Sequence, residues 1–171
     1  SGMAYDDDTM KLGRLTHYMD TITSDPLNRD KSPNPNLVTV KTVDIDPKTN
    51  AVDASSGLAT GYDAFNRMLG YTESSHEYYA DASGAADYSV LDLTTTTVRS
   101  GMVYDGGLGR LTNYTDKIVS GTSPNLETTK TVMMDAIKDY DTFNRLKGYE
   151  ETAIEKDASG LLLDLTTTTV R

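Results

Sequence analysis

The chain contains no cysteine and no tryptophan, only two phenylalanines and only two histidines. Without cysteine there is no disulfide framework, no thiolate zinc site and no cysteine nucleophile. No apolar run approaches the roughly 18–20 residues of a membrane span, and no signal peptide is visible. Positive charge is scarce: 16 Lys and Arg stand against 26 Asp and Glu, for a net charge of −10. That balance argues against a binder of nucleic-acid phosphates. The zinc-hydrolase, nucleophile-elbow and phosphate-loop signatures are missing as well. Hydrophobic residues make up 37% of the chain, below the roughly 45–50% of ordinary globular domains.

Threonine and tyrosine are abundant. There are 25 Thr and 11 Tyr in 171 residues. Thr is β-branched and favours strands, and Tyr suits half-buried surfaces. The sequence also repeats itself. LDLTTTTVR occurs at 91–99 and again at 163–171, GRLTHYMD from Gly13 matches GRLTNYTD from Gly109, and GYDAFNRMLGY from Gly61 matches DYDTFNRLKGY from Asp139. The order is the same in both, so the chain is two copies, 1–99 and 100–171, with insertions in the first. SGMAYD opens the first copy and SGMVYD the second, and Arg171 falls where another SGM would follow. This phase points to a segment of a longer array. The alternative is that Ser1 and Gly2 are left by proteolytic cleavage.

Each copy divides again, giving units of about 1–58, 59–99, 100–137 and 138–171. A Tyr-Asp pair marks each unit: Tyr5 and Asp6, Tyr62 and Asp63, Tyr104 and Asp105, Tyr140 and Asp141. An arginine follows (Arg14, Arg67, Arg110, Arg145), then a tyrosine four residues on (Tyr18, Tyr71, Tyr114, Tyr149). An acid stands two positions beyond: Asp20, Glu73, Asp116 or Glu151. Arg, Tyr and acid share a parity, so in a strand they share a face; for the third unit this face is Arg110, Thr112, Tyr114, Asp116 and Ile118. Asn66 and Asn144 replace Gly109, as a turn at positive φ allows. Ser-Pro-Asn at 32–34 and 123–125 predicts longer connections. LTTTTVRSGMVYD from Leu93 reads as one long strand.

The expected fold is all-β: an antiparallel meander of about eight long strands built from tandem hairpins, in a curved, shell-like or barrel-like sheet that runs through both copies. Equivalent residues of successive units would stack in ladders, and ion pairs between strands would follow from the shared face. Unpaired edge strands predict self-association.

The pattern resembles the YD repeat of Rhs-type proteins, whose core is Tyr-Asp, two residues, Gly or Asn, Arg and Leu. YDAFNRM from Tyr62 and YDTFNRL from Tyr140 keep that spacing, YDGGLGRL from Tyr104 has one extra residue, and YDDDTMKLGRL from Tyr5 has four. The units are longer than is usual in that family, and nothing looks like the self-cleaving terminus or toxin domain of some members. The resemblance implies a large secreted or surface-anchored bacterial protein in which such repeats build β-sheet shells or scaffolds. Some members act in cell contact, and glycan binding has been proposed for the family.

Other chemistry is weighed against blander readings. His17 and His76 occupy non-equivalent repeat positions, which favours sheet-face histidines over a repeated site. Asp44, Asp46, Asn50 and Asp53 form an oxygen-rich string that calcium could use, as could Asp6, Asp7 and Asp8; the string lacks the central Gly and closing Glu of an EF-hand, so a solvated loop is the first expectation. No cofactor is expected otherwise. Paired carboxylates of a glycosidase are discounted, because chance pairs are common in so acidic a chain. The Thr runs at Thr94 and Thr166 invite an ice-binding face, but Lys41, Lys130 and acidic loops interrupt it. The recurrent Tyr-Asp pairs read best as a turn device. The resulting expectation is a non-enzymatic scaffold or stalk segment at a bacterial surface. Its expected partners are neighbouring repeats, with surface glycans as the one candidate ligand class. The alternative is a carbohydrate- or calcium-binding adhesin module.

Overall fold

The computed structural model describes residues 2–6, 13–24, 36–52, 57, 59–81, 83–157 and 164–171. Eleven strands follow one another: β1 (Gly2–Tyr5), β2 (Leu15–Ser24), β3 (Asn36–Asp44), β4 (Ala51–Val52), β5 (Ala59–Tyr62), β6 (Met68–Ala80), β7 (Ala86–Tyr104), β8 (Leu111–Ser120), β9 (Ser123–Met133), β10 (Glu150–Asp157) and β11 (Asp164–Val170). No helix occurs among the described residues, so none is long and apolar enough to cross a membrane.

The strands form one antiparallel sheet in the order β1-β2-β3-β6-β7-β8-β9-β10-β11. Strands β4 and β5 leave this path: β4 pairs β5, and β5 pairs β6. The sheet is open, with β1 and β11 at its two edges, so the barrel alternative does not hold. Strands outnumber the expected eight because the insertion of the first copy contributes β4 and β5 and because β1 is a separate short strand.

The Thr-rich segments are extended as expected, and β7 is longer than LTTTTVRSGMVY alone: 19 residues cross the boundary between the copies. Its first part pairs β6 (Tyr71 opposite Arg99, Glu73 opposite Thr97), and its second part pairs β8 (Arg99 opposite Asp116, Tyr104 opposite Leu111). The connection expected at Ser123–Asn125 lies elsewhere. Gly121 and Thr122 make the turn, the Gly121 amide donates to Thr94 O at 2.6 Å, and Ser123 already pairs Ser120. A two-residue turn suffices here, so the Pro is carried into the strand start. The equivalent Ser32–Asn34 lies outside the described residues.

The core is thin. Val43, Ile45 and Tyr62 form a buried cluster, with Leu15, Tyr18, Met68 and Tyr71 packed against it. Val132, Met134 and Met102 are buried further along, yet no described side chain is completely enclosed. A single sheet with little apolar burial must draw its stability from cross-strand pairs and turns. The motif residues lie at those turns.

Candidate functional site

The Tyr-Asp element is a clamp that closes each turn. Asp63 Oδ1 accepts the Phe65 and Arg67 amides, both at 2.8 Å, and Oδ2 accepts Arg67 Nε at 2.7 Å. Asp141 repeats this with the amides of Phe143 (2.8 Å) and Arg145 (2.9 Å) and with Arg145 Nε at 2.7 Å. Asn66 and Asn144 both stand at φ 61°, as the turn requires. Asp105 accepts the amides of Leu108 (2.8 Å) and Arg110. In the first unit, whose loop is longer, Asp6 Oδ1 still accepts the Arg14 amide at 2.7 Å. Burial of Asp63 alone would raise its carboxyl pKa, but the Arg67 amide, the Arg67 guanidinium and the Phe65 amide outweigh it and hold the group below its usual range. Asp141 is lowered, first by the Arg145 amide, and Asp105, first by the Leu108 amide.

The tyrosine of each later clamp reaches back one unit. Tyr62 donates its hydroxyl to Leu15 O at 2.7 Å, Tyr104 to Met68 O at 2.7 Å and Tyr140 to Leu111 O at 2.8 Å. Each acceptor is the residue after the motif arginine. The arginine in turn lies over that tyrosine: Arg14 over Tyr62 at 5.2 Å, Arg67 over Tyr104 at 4.7 Å and Arg110 over Tyr140 at 5.2 Å. Cation–π contact of this kind is worth about 0.5–2 kcal/mol. Burial raises the phenol pKa of all three tyrosines.

The arginines alternate in role. Arg67 and Arg145 bond the Asp of their own turn, and each also lies over its Phe, at 5.2 and 5.3 Å. Arg14 and Arg110 instead enter the next turn. Arg14 donates to Asn66 Oδ1 (Nε 3.0 Å, Nη2 2.7 Å), to Pro47 O at 2.7 Å and to Thr49 Oγ1 at 3.0 Å. Arg110 donates to Asn144 Oδ1 (3.0 and 2.6 Å) and to Ala136 O. Neither lies within a strand, since β2 starts at Leu15 and β8 at Leu111. The motif arginines therefore do not share the strand face of the acids, and the ion pairs expected between strands are made by other cations.

The acid finds another cation, one that the repeat pattern does not single out. Arg99, at the end of TTTTVR, forms a two-pronged pair with Asp116 (Nε–Oδ1 2.7 Å, Nη2–Oδ2 2.7 Å). Its guanidinium lies 5.4 Å from the Tyr71 ring and 4.0 Å from Tyr114. The Asp116 bonds raise the Arg99 pKa against the opposing effect of burial. Tyr71 and Tyr114 are themselves raised by burial. The signal is present in the sequence, since the arginine recurs with the Thr run, but its acid stands on a different strand. Two of the other acids pair with strand lysines: Glu73 with Lys41 at 3.1 Å and Glu151 with Lys130 at 3.8 Å.

The remaining candidates are scattered. Tyr5 is exposed on β1, and its hydroxyl donates to Met3 Sδ at 3.7 Å. Tyr18 borders a cleft of about 230 Å³ with Leu15, Met68 and Tyr71. Tyr149 lies 5.9 Å from the Arg171 guanidinium. Asp44 Oδ1 bonds His17 Nδ1 at 2.7 Å, Asp46 Oδ1 accepts the Lys48 amide at 2.9 Å, and Asn50 occupies a positive-φ turn. Asp53, Asp7 and Asp8 lie outside the described residues. No cluster of three or more metal-ligating side chains occurs among the described residues. His76 binds Asp92 Oδ1 at 2.8 Å and stacks on Tyr88 at 5.7 Å, with Tyr78 5.2 Å from its ring. The Thr94–Thr97 run lies in β7 opposite His76, Ser75, Ser74 and Glu73.

Comparison with family models, with curated proteins and with solved structures finds no match for this chain.

Proposed function

We propose that the chain is a non-catalytic scaffold segment of a large bacterial surface or secreted protein, built from YD-type repeats. The observation that supports this reading is where the recurrent side chains direct their bonds. Tyr62, Tyr104 and Tyr140 donate to the backbone of the preceding unit. Asp63, Asp105 and Asp141 close their own turns. Arg14, Arg67 and Arg110 lie over the next tyrosine. Groups engaged in this way hold units together and are not free for a substrate.

A second reading, a glycan-binding adhesin module, draws on one feature the repeat does not use. His76, Tyr78 and Tyr88 form an aromatic cluster with Asp92 beside it, and Tyr88 is exposed. An aromatic face next to a carboxylate suits a sugar ring. The equivalents of His76 and Tyr78 in the second copy are Ile154 and Lys156, so the cluster is not part of the repeat. A glycan screen of the wild type and of Tyr88→Ala, run in calcium and in chelator, separates the readings. The scaffold reading expects no specific binding in either condition. Specific binding that Tyr88→Ala abolishes replaces it with the adhesin, and loss in chelator assigns a role to the acidic loop.

A further inference from the structure

Arg99 occupies a seat that three neighbouring strands build for a guanidinium. Within β6-β7-β8 it faces Tyr71 on one side and Asp116 on the other, and Tyr114 stands two residues before Asp116. The guanidinium lies 5.4 Å from the Tyr71 ring and 4.0 Å from the Tyr114 ring, and it bonds both carboxylate oxygens at 2.7 Å. Strands β2-β3-β6 build the same seat a second time. Val43 faces Tyr18 on one side and Glu73 on the other, and Tyr71 stands two residues before Glu73. Strand directions match as well, since every pair involved is antiparallel. Two tyrosines and a carboxylate are thus in place, and a valine stands in the position of the arginine.

The shorter side chain goes with open space. The cleft of about 230 Å³ is lined by Val43, Tyr18, Tyr71 and Glu73, together with Ile45 and Met68. Val43 and Ile45 are buried and give it an apolar floor. Glu73 is the more open of the two acids: its side chain is 24% exposed, against 11% for Asp116. Lys41 holds Glu73 Oε1 at 3.1 Å from the neighbouring position of the same face of β3, where it lies opposite Asp20 and Ser75. In the second copy Val132 holds the place of Val43, facing Tyr114 and Glu151, but there Arg99 already lies over Tyr114.

We propose that the cleft over Val43 binds a small alkylguanidinium, the group that Arg99 supplies from within in the neighbouring seat. The cationic head lies between the Tyr18 and Tyr71 rings and donates to Glu73 Oε2, and the alkyl tail covers Val43 and Ile45. A guanidinium stacks on aromatic faces and is weakly hydrated, so it loses little on entering a half-buried site. An ammonium head is a compact, strongly hydrated charge with no plane to lay on a ring, and it fits less well. The net charge of −10 favours cations over anions. The inference depends neither on the scaffold reading nor on the aromatic cluster of His76 and Tyr78. Those two residues alternate with Tyr71 and Glu73 along β6 and so lie on the other face of the sheet.

The test is a titration of the 171-residue chain with n-butylguanidinium, followed at the Met68 methyl resonance with the Met134 methyl as reference. Neutral n-butylurea tests the charge, and the bare guanidinium ion at the same low concentrations tests the tail. A saturable shift at Met68 is expected, with affinity roughly tenfold lower for either control compound. Glu73→Gln is expected to weaken binding roughly tenfold. Val43→Arg fills the seat from within and is expected to abolish binding. Circular dichroism checks the fold of both variants, and the two control compounds need no variant at all. No saturable shift, butylurea binding as well as butylguanidinium, equal shifts at Met134, or unchanged binding by folded Glu73→Gln would each overturn the proposal. The scaffold reading fails on a different result, specific glycan capture, which leaves these outcomes untouched.

Discussion

In the first copy Arg14 is 7% exposed and bonds Thr49 Oγ1 in addition to Pro47 O and Asn66 Oδ1. In the second copy Arg110 bonds Ala136 O and Asn144 Oδ1, the equivalents of two of these, but is only half-buried. Tyr62 is buried beneath the first arginine, and Tyr140 is half-buried beneath the second. The difference is the insertion of the first copy, which brings β4 and β5 beside the turn and adds Thr49 as an acceptor. One bonding scheme thus serves with and without an apolar cover. The scheme is set by the turn, and the cover sets how much each bond is worth.

Changes at Gly61 would break the comparison most sharply. Gly61 stands at φ 72°, and a Cβ there would lie 2.5 Å from Asp46 O and 2.8 Å from Lys48 O. Gly61→Ala is expected to cost roughly 2–5 kcal/mol, the sum of left-handed strain and overpacking. The second copy has Asp139 at this position, where its Oδ2 accepts the Asp135 amide at 2.7 Å. Asp139→Ala should cost about 1 kcal/mol. Denaturant unfolding of the two variants measures both, and equal losses would mean that the insertion does not constrain the turn. Next in size, Arg14→Ala should cost about 3 kcal/mol and Arg110→Ala about half that. Arg14 makes one bond more, to Thr49 Oγ1, so that bond and the cover together account for the difference. Smaller still, Tyr62→Phe and Tyr140→Phe each remove one hydroxyl bond and should cost about 1 kcal/mol, more at Tyr62.

Acidity acts on both copies alike. Asp63, Asp105 and Asp141 have pKa values lowered below 3.8 in the fold. Their stabilisation is therefore fully present above the unfolded value and is lost as pH falls through the folded ones. Amide resonances of Phe65 and Phe143 should shift together in an acid titration. The tyrosines act at the other end. Tyr71 and Tyr114 are raised above 10.0, so their contribution is present below pH 10 and is lost as pH rises through the raised values. Tyrosinate absorbance that lags behind free tyrosine, followed by unfolding, is the expected alkaline record.

The strand framework was legible because its signals are local. The Thr runs, the repeat of LDLTTTTVR and the Asn-for-Gly exchange each involve neighbours in sequence. The turn clamp was legible for the same reason, since Asp63 and Arg67 are four residues apart. The destinations of the long side chains were not. Arg14 meets Asn66 across 52 residues, and Arg110 meets Asn144 across 34. Face parity placed both arginines on the face of the acids and led to ion pairs between strands; such pairs form, but with Arg99, Lys41 and Lys130, because Arg14 and Arg110 each sit one residue before a strand begins. Arg99 stands in a repeated string, yet its role was hidden there, because its two tyrosines come from different units. Closure was equally out of reach, since it depends on how strands stack far from any one turn.

The strand order has a consequence for how the chain is built as it leaves the ribosome. Apart from the excursion through β4 and β5, each strand lies beside the one made just before it, so folding can follow synthesis one addition at a time, with contacts of short sequence separation. At every stage the nascent sheet ends in a fresh, unsatisfied edge. Strand β7 makes the hand-over between copies continuous: its first half completes β6 before its second half offers a place to β8. Nothing in that sequence of additions marks a point at which growth must stop.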